Sequence, residues 1–257
     1  MKKISTILFV LLLMLASFTA GVEYERGDVD QNGSVNIADV ATLIDYLLTG
    51  TWGDEPVTPP DTHEYVNLGL PSGTLWATCN VGATAPEEYG DYFAWGETEP
   101  KDYYDWSTYR WCDGSYQTMT KYCTDSKYGM VDNKTELDPE DDAAFVNWGE
   151  NWRMPTQEQM QELFDNCSWI WTQRNGVNGG LVTGPNGNTL FLPAGGMRNG
   201  TSLDFQDIDG DYWSRTIHSW ISSGAYALDF YSGVWGWDGD LIRSYGYSVR
   251  AVRVPQN

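Results

Sequence analysis

From Tyr65 onward, glycine, tryptophan and tyrosine recur so densely that no long regular element fits between them. The chain of 257 residues holds 27 Gly, 13 Trp and 16 Tyr. Its apolar runs are cut short by Pro71-Ser-Gly73, Asp113-Gly114, Asn175-Gly176, Pro185-Asn-Gly187 and Asp209-Gly210. Such segments favour turns, because Gly accepts a positive φ and Asp or Asn bonds its own backbone. The predicted result is an irregular α+β domain over residues 63–257, with two main helices and short antiparallel strands.

Local signals place those helices. Asp138-Pro139-Glu140-Asp141 offers a capping aspartate, a proline at the first helical position and acids in the first turn. Thr156-x-x-Gln159 is a capping box, followed by Met160, Leu163 and Phe164 on one face. Further on, Tyr226, Leu228 and Phe230 alternate with Ala227, Asp229 and Tyr231, the pattern of a strand with one buried and one exposed face. A last strand is expected over Tyr247 to Val254.

Before this domain the character changes twice. Lys2 and Lys3, the apolar run Ile7 to Ala16 and the small residues Thr19-Ala20-Gly21 have the three-part layout of a secretory signal over residues 1–21. That run is short for a membrane span, and no cysteine follows it that would take a lipid anchor. The expectation is a secreted, extracellular or cell-surface protein without a transmembrane segment. Subtracting Lys2 and Lys3 from the 15 basic residues leaves 13 against 36 acidic ones. A surplus of negative charge on that scale disfavours nucleic acid and anionic lipid as partners.

In an oxidising compartment the even set Cys79, Cys112, Cys123 and Cys167 suggests two disulfides with three possible connectivities. The pairing of Cys112 with Cys123 and of Cys79 with Cys167 is favoured. Zinc is the rival use of these thiols, but there is no CxxC, and only His63 and His218 could join them.

Residues 22–50 carry a different signature. Asp28, Asp30, Asn32, Asn36 and Asp39 stand at positions 1, 3, 5, 9 and 12 of a loop whose sixth residue is Gly33, the oxygen-ligand spacing of an EF-hand-type calcium loop. The carbonyl of Ser34 is a further expected ligand, so Ca2+ is the predicted cofactor. Ile37, Val40, Leu43, Ile44, Leu47 and Leu48 then recur at helical spacing up to Gly50. Gly27 to Leu48 resembles one repeat of a type I dockerin, a family in which two such repeats bind a cohesin, and one repeat is found here. The resemblance implies calcium binding and a cohesin-like partner; a calcium-stabilised cap or spacer is the alternative. Residues 51–62, with Pro56, Pro59 and Pro60, form the expected stiff linker.

The large domain also resembles a known family. Leu70-Pro-Ser-Gly-Thr-Leu-Trp76-Ala-Thr-Cys79-Asn-Val-Gly82, Tyr92-Phe-Ala-Trp95-Gly-Glu97, Trp148-Gly-Glu-Asn-Trp152-Arg-Met-Pro-Thr156, Tyr212-Trp213-Ser214 and Gly246-Tyr-Ser-Val-Arg250 are similar to the Fibrobacter succinogenes major paralogous domain. The similarity spans nearly all of residues 65–254 and extends to C-type-lectin-like folds and the formylglycine-generating enzyme group. It implies a C-type-lectin-like fold.

The chemistry of an enzyme is not apparent. A hydrolytic triad would need His63 or His218, yet the first adjoins the linker and the second lies in a polar loop-like stretch. No paired carboxylates stand in a plausible frame, and no active cysteine pair is found near the last strand. Where calcium-dependent lectins carry Glu-Pro-Asn and Trp-Asn-Asp, this chain has Glu99-Pro100-Lys101 and Trp237-Asp238-Gly239, and a lysine is no calcium ligand. The acidic run Asp138–Asp142 reads as helix capping, and the set Asp204, Asp207, Asp209 and Asp211 as turn residues.

Aromatic side chains form the remaining candidate surface. Trp220, Tyr231, Trp235 and Trp237 lie close in sequence and are broken by Gly224, Gly233, Gly236 and Gly239, a setting that suggests loops. Flat rings bury the apolar faces of sugars, and Trp and Tyr anchor protein interfaces. The expected function is therefore a non-catalytic recognition module for a glycan or an extracellular protein. The alternatives are a scaffolding component or an accessory protein of polysaccharide catabolism.

Overall fold

The computed structural model describes residues 63–253, apart from the side chains of 237–240, together with a few positions between 39 and 47. The predicted signal segment, the linker and every calcium-loop residue except Asp39 lie outside the described residues. Asp39, Val40, Ala41, Leu43, Ile44 and Leu47 are helical, as the apolar spacing predicts. Asp39 is buried there, whereas Val40, Ile44 and Leu47 are each at least half exposed. The chain divides between residues 62 and 63.

Residues 63–253 form an α+β unit in which all the pairings between strands are antiparallel. Strands β1 (Tyr65–Asn67) and β11 (Val252–Arg253), from opposite ends of the unit, flank β2 (Leu75–Ala77). Strands β3 (Ser168–Arg174), β4 (Val177–Thr183) and β5 (Thr189–Pro193) make a second sheet, and β6 (Met197–Asn199) pairs with β7 (Ser202–Asp204). In the remaining sheet, β9 (Gly224–Tyr231) lies between β8 (Asp209–Ile217) and β10 (Val234–Ile242). Asn175 and Gly176, both at positive φ, turn β3 into β4, the conformation that a two-residue hairpin with the right twist requires.

Two helices pack on these sheets. Helix α2 (Gln157–Asn166) starts at the expected capping box: Thr156 Oγ1 accepts from Gln159 N, and Gln159 Oε1 accepts from Thr156 N. Met160 and Leu163 on its inner face are buried against Trp76, Leu192 and Leu228. Helix α1 (Ala143–Trp148) departs from expectation. Pro139–Asp141 is a short 3-10 turn in which Asp138 caps nothing, and Asp142 is the N-cap instead. Asp138 is drawn away by cations, with Lys121 Nζ 2.6 Å from its Oδ2 and Lys134 also paired to it.

Three further expectations are corrected. Strand β9 is buried on both faces as far as Leu228. It is a central strand, with Ala225 and Ala227 in one core cluster and Leu228 and Phe230 in another. Asp209-Gly210 is no turn but the start of β8, where a Cβ on Gly210 would stand 2.2 Å from Phe230 Cζ. The last strand contracts to Val252–Arg253 because Tyr247 and Ser248 make only isolated bridges, to Phe93 and Tyr212.

Candidate functional site

The β8–β9 connection, residues 218–223, carries the most exposed tryptophan described in the chain: Trp220 keeps 79% of its surface open. The backbone beneath it is tightly held. His218 Nδ1 accepts from Trp220 N at 3.1 Å and from Ile221 N at 3.0 Å, so the imidazole closes the loop the way an Asx side chain closes a turn. His218 N donates to Gly224 O, and Gly224 N donates to Ile221 O. Ser219 Oγ lies 2.9 Å from the Tyr226 hydroxyl.

The far end of the loop is pinned to the interior. Ser222 is fully buried, its Oγ accepts from Thr124 N, and its carbonyl accepts from Arg243 Nη1 at 2.7 Å. Arg243 is itself fully buried and donates also to the Tyr109 hydroxyl and to the carbonyls of Tyr122 and Lys121. Its guanidinium lies over the Trp95 ring at 4.7 Å. Burial pushes the Tyr109 phenol above its ordinary pKa, against the pull of Arg243. The result is a short, fixed loop with one large amphipathic ring standing in solvent.

The four aromatic residues expected to form one surface are distributed over a loop and two strands. Trp220 lies in the connection before β9 and Tyr231 ends that strand, whose eight residues span roughly 23 Å at a rise of about 3.3 Å per residue. Trp235 is not on a loop; it lies in β10, paired with Phe230, and its ring packs on Phe230 and Trp169 at 5.8 and 5.4 Å. Trp237 lies in the same strand opposite Leu228, and its side chain is outside the described residues. Glycines at 233 and 236 therefore serve a tight hairpin and a strand, not an extended loop: Gly233, at φ 82°, turns Tyr231 directly back to Val234.

The other candidate groups have structural partners. His63 stacks on Trp148 with ring centroids 4.0 Å apart. Lys101 Nζ is held by Glu97 and by the carbonyl of Thr108. Asp207 Oδ1 accepts from the Tyr89 hydroxyl and from Asn178 N. Among the described residues, no group of three His, Cys, Asp or Glu side chains is arranged to hold a metal ion.

All four cysteines are free thiols, so neither expected disulfide is formed. Cys123 belongs to a small core cluster against which Cys112 packs, but their sulfurs turn to different carbonyls, of Asp125 and Trp106 respectively, each at 3.2 Å. Cys167 caps the end of α2 and packs in another cluster, while Cys79 lies within electrostatic range of Arg250. Burial raises the thiols of Cys79 and Cys112, and pushes Cys167 up to about 11 with Glu162 adding to the shift. Thiols so raised are protonated at neutral pH and weak nucleophiles.

The sequence reading missed what holds Trp220 in place. A histidine two and three residues before the amides it binds is a legible local signal; the Ser222–Arg243 link is not, because its partners are distant in the chain. Comparison of the chain with protein-family models, with curated proteins and with solved structures finds no match.

Proposed function

We propose that this protein is an exported, non-catalytic recognition module of C-type-lectin-like architecture that engages a glycan, or failing that an extracellular protein, through Trp220. The observation that carries this reading is the pairing of extreme exposure with a fixed backbone. A free tryptophan ring offers a flat apolar face to a pyranose. A loop already ordered by His218, Ser222 and Arg243 loses little conformational entropy on binding. The joining of β1 and β11 on either side of β2, which brings the two ends of the unit together, supports the lectin-like architecture.

The calcium segment supplies a second contact in this proposal. Asp28, Asp30, Asn32, Ser34, Asn36 and Asp39 hold one Ca2+, and the exposed helical positions Val40, Ile44 and Leu47 favour a protein partner of the cohesin kind. That same stripe favours a scaffolding role as the second reading.

The test is a glycan array probed with the wild-type chain and with Trp220→Ala, each with and without chelator, beside a calcium titration of wild type and Asp28→Ala. Glycan signal that disappears in Trp220→Ala is expected, with one Ca2+ per chain lost in Asp28→Ala. Undiminished glycan binding by Trp220→Ala overturns the assignment to this loop, and an empty array overturns the glycan.

A further inference from the structure

The outer strands of a sheet present a row of unpaired N–H and C=O groups, which natural proteins cover, shorten, charge or interrupt. Most outer strands here are treated in that way. Strands β1, β6, β7 and β11 are three residues long or less. β8 is bonded to loops, with Leu137 N donating to Arg215 O, Ile217 N to Thr135 O and Trp213 N to Ser248 O. In β5 the carbonyls of Phe191 and Pro193 accept from Arg250 Nη1 and from the Tyr212 hydroxyl. β10 breaks register between Asp238 and Leu241 and carries two acids, Asp238 and Asp240. β3 has none of these devices. Its seven residues run in unbroken register against β4 without a proline, and its one charge, Arg174, stands at the end and is paired with Glu87.

The hairpin decides which groups of β3 are left over. Asn175 and Gly176, both at positive φ, form a two-residue turn that Arg174 and Val177 close as a hydrogen-bonded pair. Bonding alternates from there. Thr172, Ile170 and Ser168 turn their amides and carbonyls to Gly179, Leu181 and Thr183, while those of Trp169, Trp171 and Gln173 point away from β4. Among the described residues, no backbone group bonds this second set. Ile170 is 57% exposed, and Ser168 and Gln173 are exposed beside it. Beneath the strand, Trp169 stacks on Phe164 at 5.0 Å and the Trp171 ring lies 6.3 Å from that of Phe230, so the free edge is held in place.

We propose that β3 pairs with β3 of a second copy of this chain, antiparallel about a two-fold axis at Trp171, joining the two β3–β4–β5 sheets into one. In that register Trp171 meets its own symmetry mate, Trp169 faces the partner's Gln173, and Ile170 faces the partner's Thr172. The three outward residues of each copy, with one donor and one acceptor apiece, make about six hydrogen bonds. Arg174 faces the partner's Ser168, so no like charges meet across the strands, in a chain with 36 acidic and 15 basic residues. Self-complementarity of this kind is what a two-fold interface requires, and it favours a second copy over a foreign strand. The edge shares no residue with the Trp220 loop, and the pairing does not depend on that assignment.

The experiment is sedimentation velocity of the full chain from about 1 to about 200 µM, since pairing between copies follows mass action. Wild type is expected to pass from monomer to dimer in that range. Gln173→Pro removes an outward amide and spares the β3–β4 ladder, because an edge strand tolerates proline where its N–H faces solvent. It is expected to move the midpoint to a concentration about tenfold higher or more. If circular dichroism shows that proline unfolds the hairpin, two double variants decide. Ile170→Lys with Thr172→Lys sets lysines opposite one another between the copies and is expected to give monomer; Ile170→Lys with Thr172→Glu sets opposite charges there and is expected to restore the dimer. A wild type that stays monomeric overturns the self-pairing. A dimer that withstands folded Gln173→Pro or the lysine pair, or that the glutamate variant fails to restore, overturns the register.

Discussion

Replacing Asp142 separates the cost of a lost acceptor from the cost of a buried charge. Its side chain is fully buried; Oδ1 accepts from Ala144 N at 2.9 Å, Phe145 N at 3.1 Å and Met154 N at 3.0 Å, and Oδ2 takes a second contact from Met154 N. It therefore caps α1 and staples that helix to the segment leading into α2. In Asp142→Ala three backbone amides lose their acceptor in a dry interior, at about 1–3 kcal/mol each when water cannot reach them. Relief of the buried charge offsets part of this, so a net loss of about 4 kcal/mol is expected. For a unit of this size that is a fall of roughly 8–16 °C in Tm. Asp142→Asn keeps one oxygen where Oδ1 stands and loses the Met154 contact to Oδ2, a loss of about 1–2 kcal/mol. Burial raises the Asp142 carboxyl above its ordinary value despite the three amides. Its protonated form is thus favoured by folding, a contribution fully present below the ordinary value of 3.8 and lost as pH rises through the raised one. The gap between wild type and Asp142→Asn is accordingly widest in acid and narrower at neutral pH. Thermal melts followed by near-UV circular dichroism from pH 3 upward measure both. A fall under about 4 °C for Asp142→Ala, or equal losses for Ala and Asn, would refute the stapling argument.

Two more changes test the packing and the surface charge. Gly210→Ala drives a Cβ into the buried ring of Phe230 and is expected to cost about 1–3 kcal/mol, whereas Gly236→Ala, with nothing within 4 Å, should stay within about 0.5 kcal/mol in urea titrations. Lys121, and after it Lys134, hold the Asp138 carboxyl below its ordinary value of 3.8, so its contribution is present above that value and lost as pH falls through the lowered one. Asp138→Asn should therefore flatten the acid limb of a stability–pH curve, and a limb as steep as that of wild type would contradict the pairing.

Elements specified by neighbours in sequence were legible. The box Thr156–Gln159 and the turn at Asn175-Gly176 each need only three or four residues to form, and both stand where the sequence puts them. The true start of α1 was hidden because the competition between Asp138 and Asp142 is settled at a distance: Lys121 draws one away, and Met154 N occupies the other. Gly210 misread as a turn for a similar reason, since its lack of a side chain serves a ring on the neighbouring strand. The loop setting expected for the aromatic residues holds for Trp220 alone, since Tyr231, Trp235 and Trp237 lie in strands. Trp220 and Tyr231 lie on either side of an eight-residue strand, and Trp235, in the next strand, is partly buried against the core.

What replaces long helices and sheets in this unit is a set of buried side chains bonded to loop backbone. Arg250, 1% exposed, donates to Asn80 Oδ1 and to the carbonyls of Ala77, Thr78 and Phe191, joining the end of β2 to the middle of β5. Arg243 does the same for the 121–122 and 222 carbonyls. Both arginines bond carbonyls of loops and short strands, and these hydrogen bonds offset part of the desolvation cost of burying each cation, although Nη2 of Arg250 is buried without a partner. A carbonyl bound to a charged fork is held more firmly than one bound to water, so segments without regular structure keep a fixed course. Trp220 thus combines exposure with a loop whose far end is bonded to a buried cation, the condition that the proposed recognition role requires.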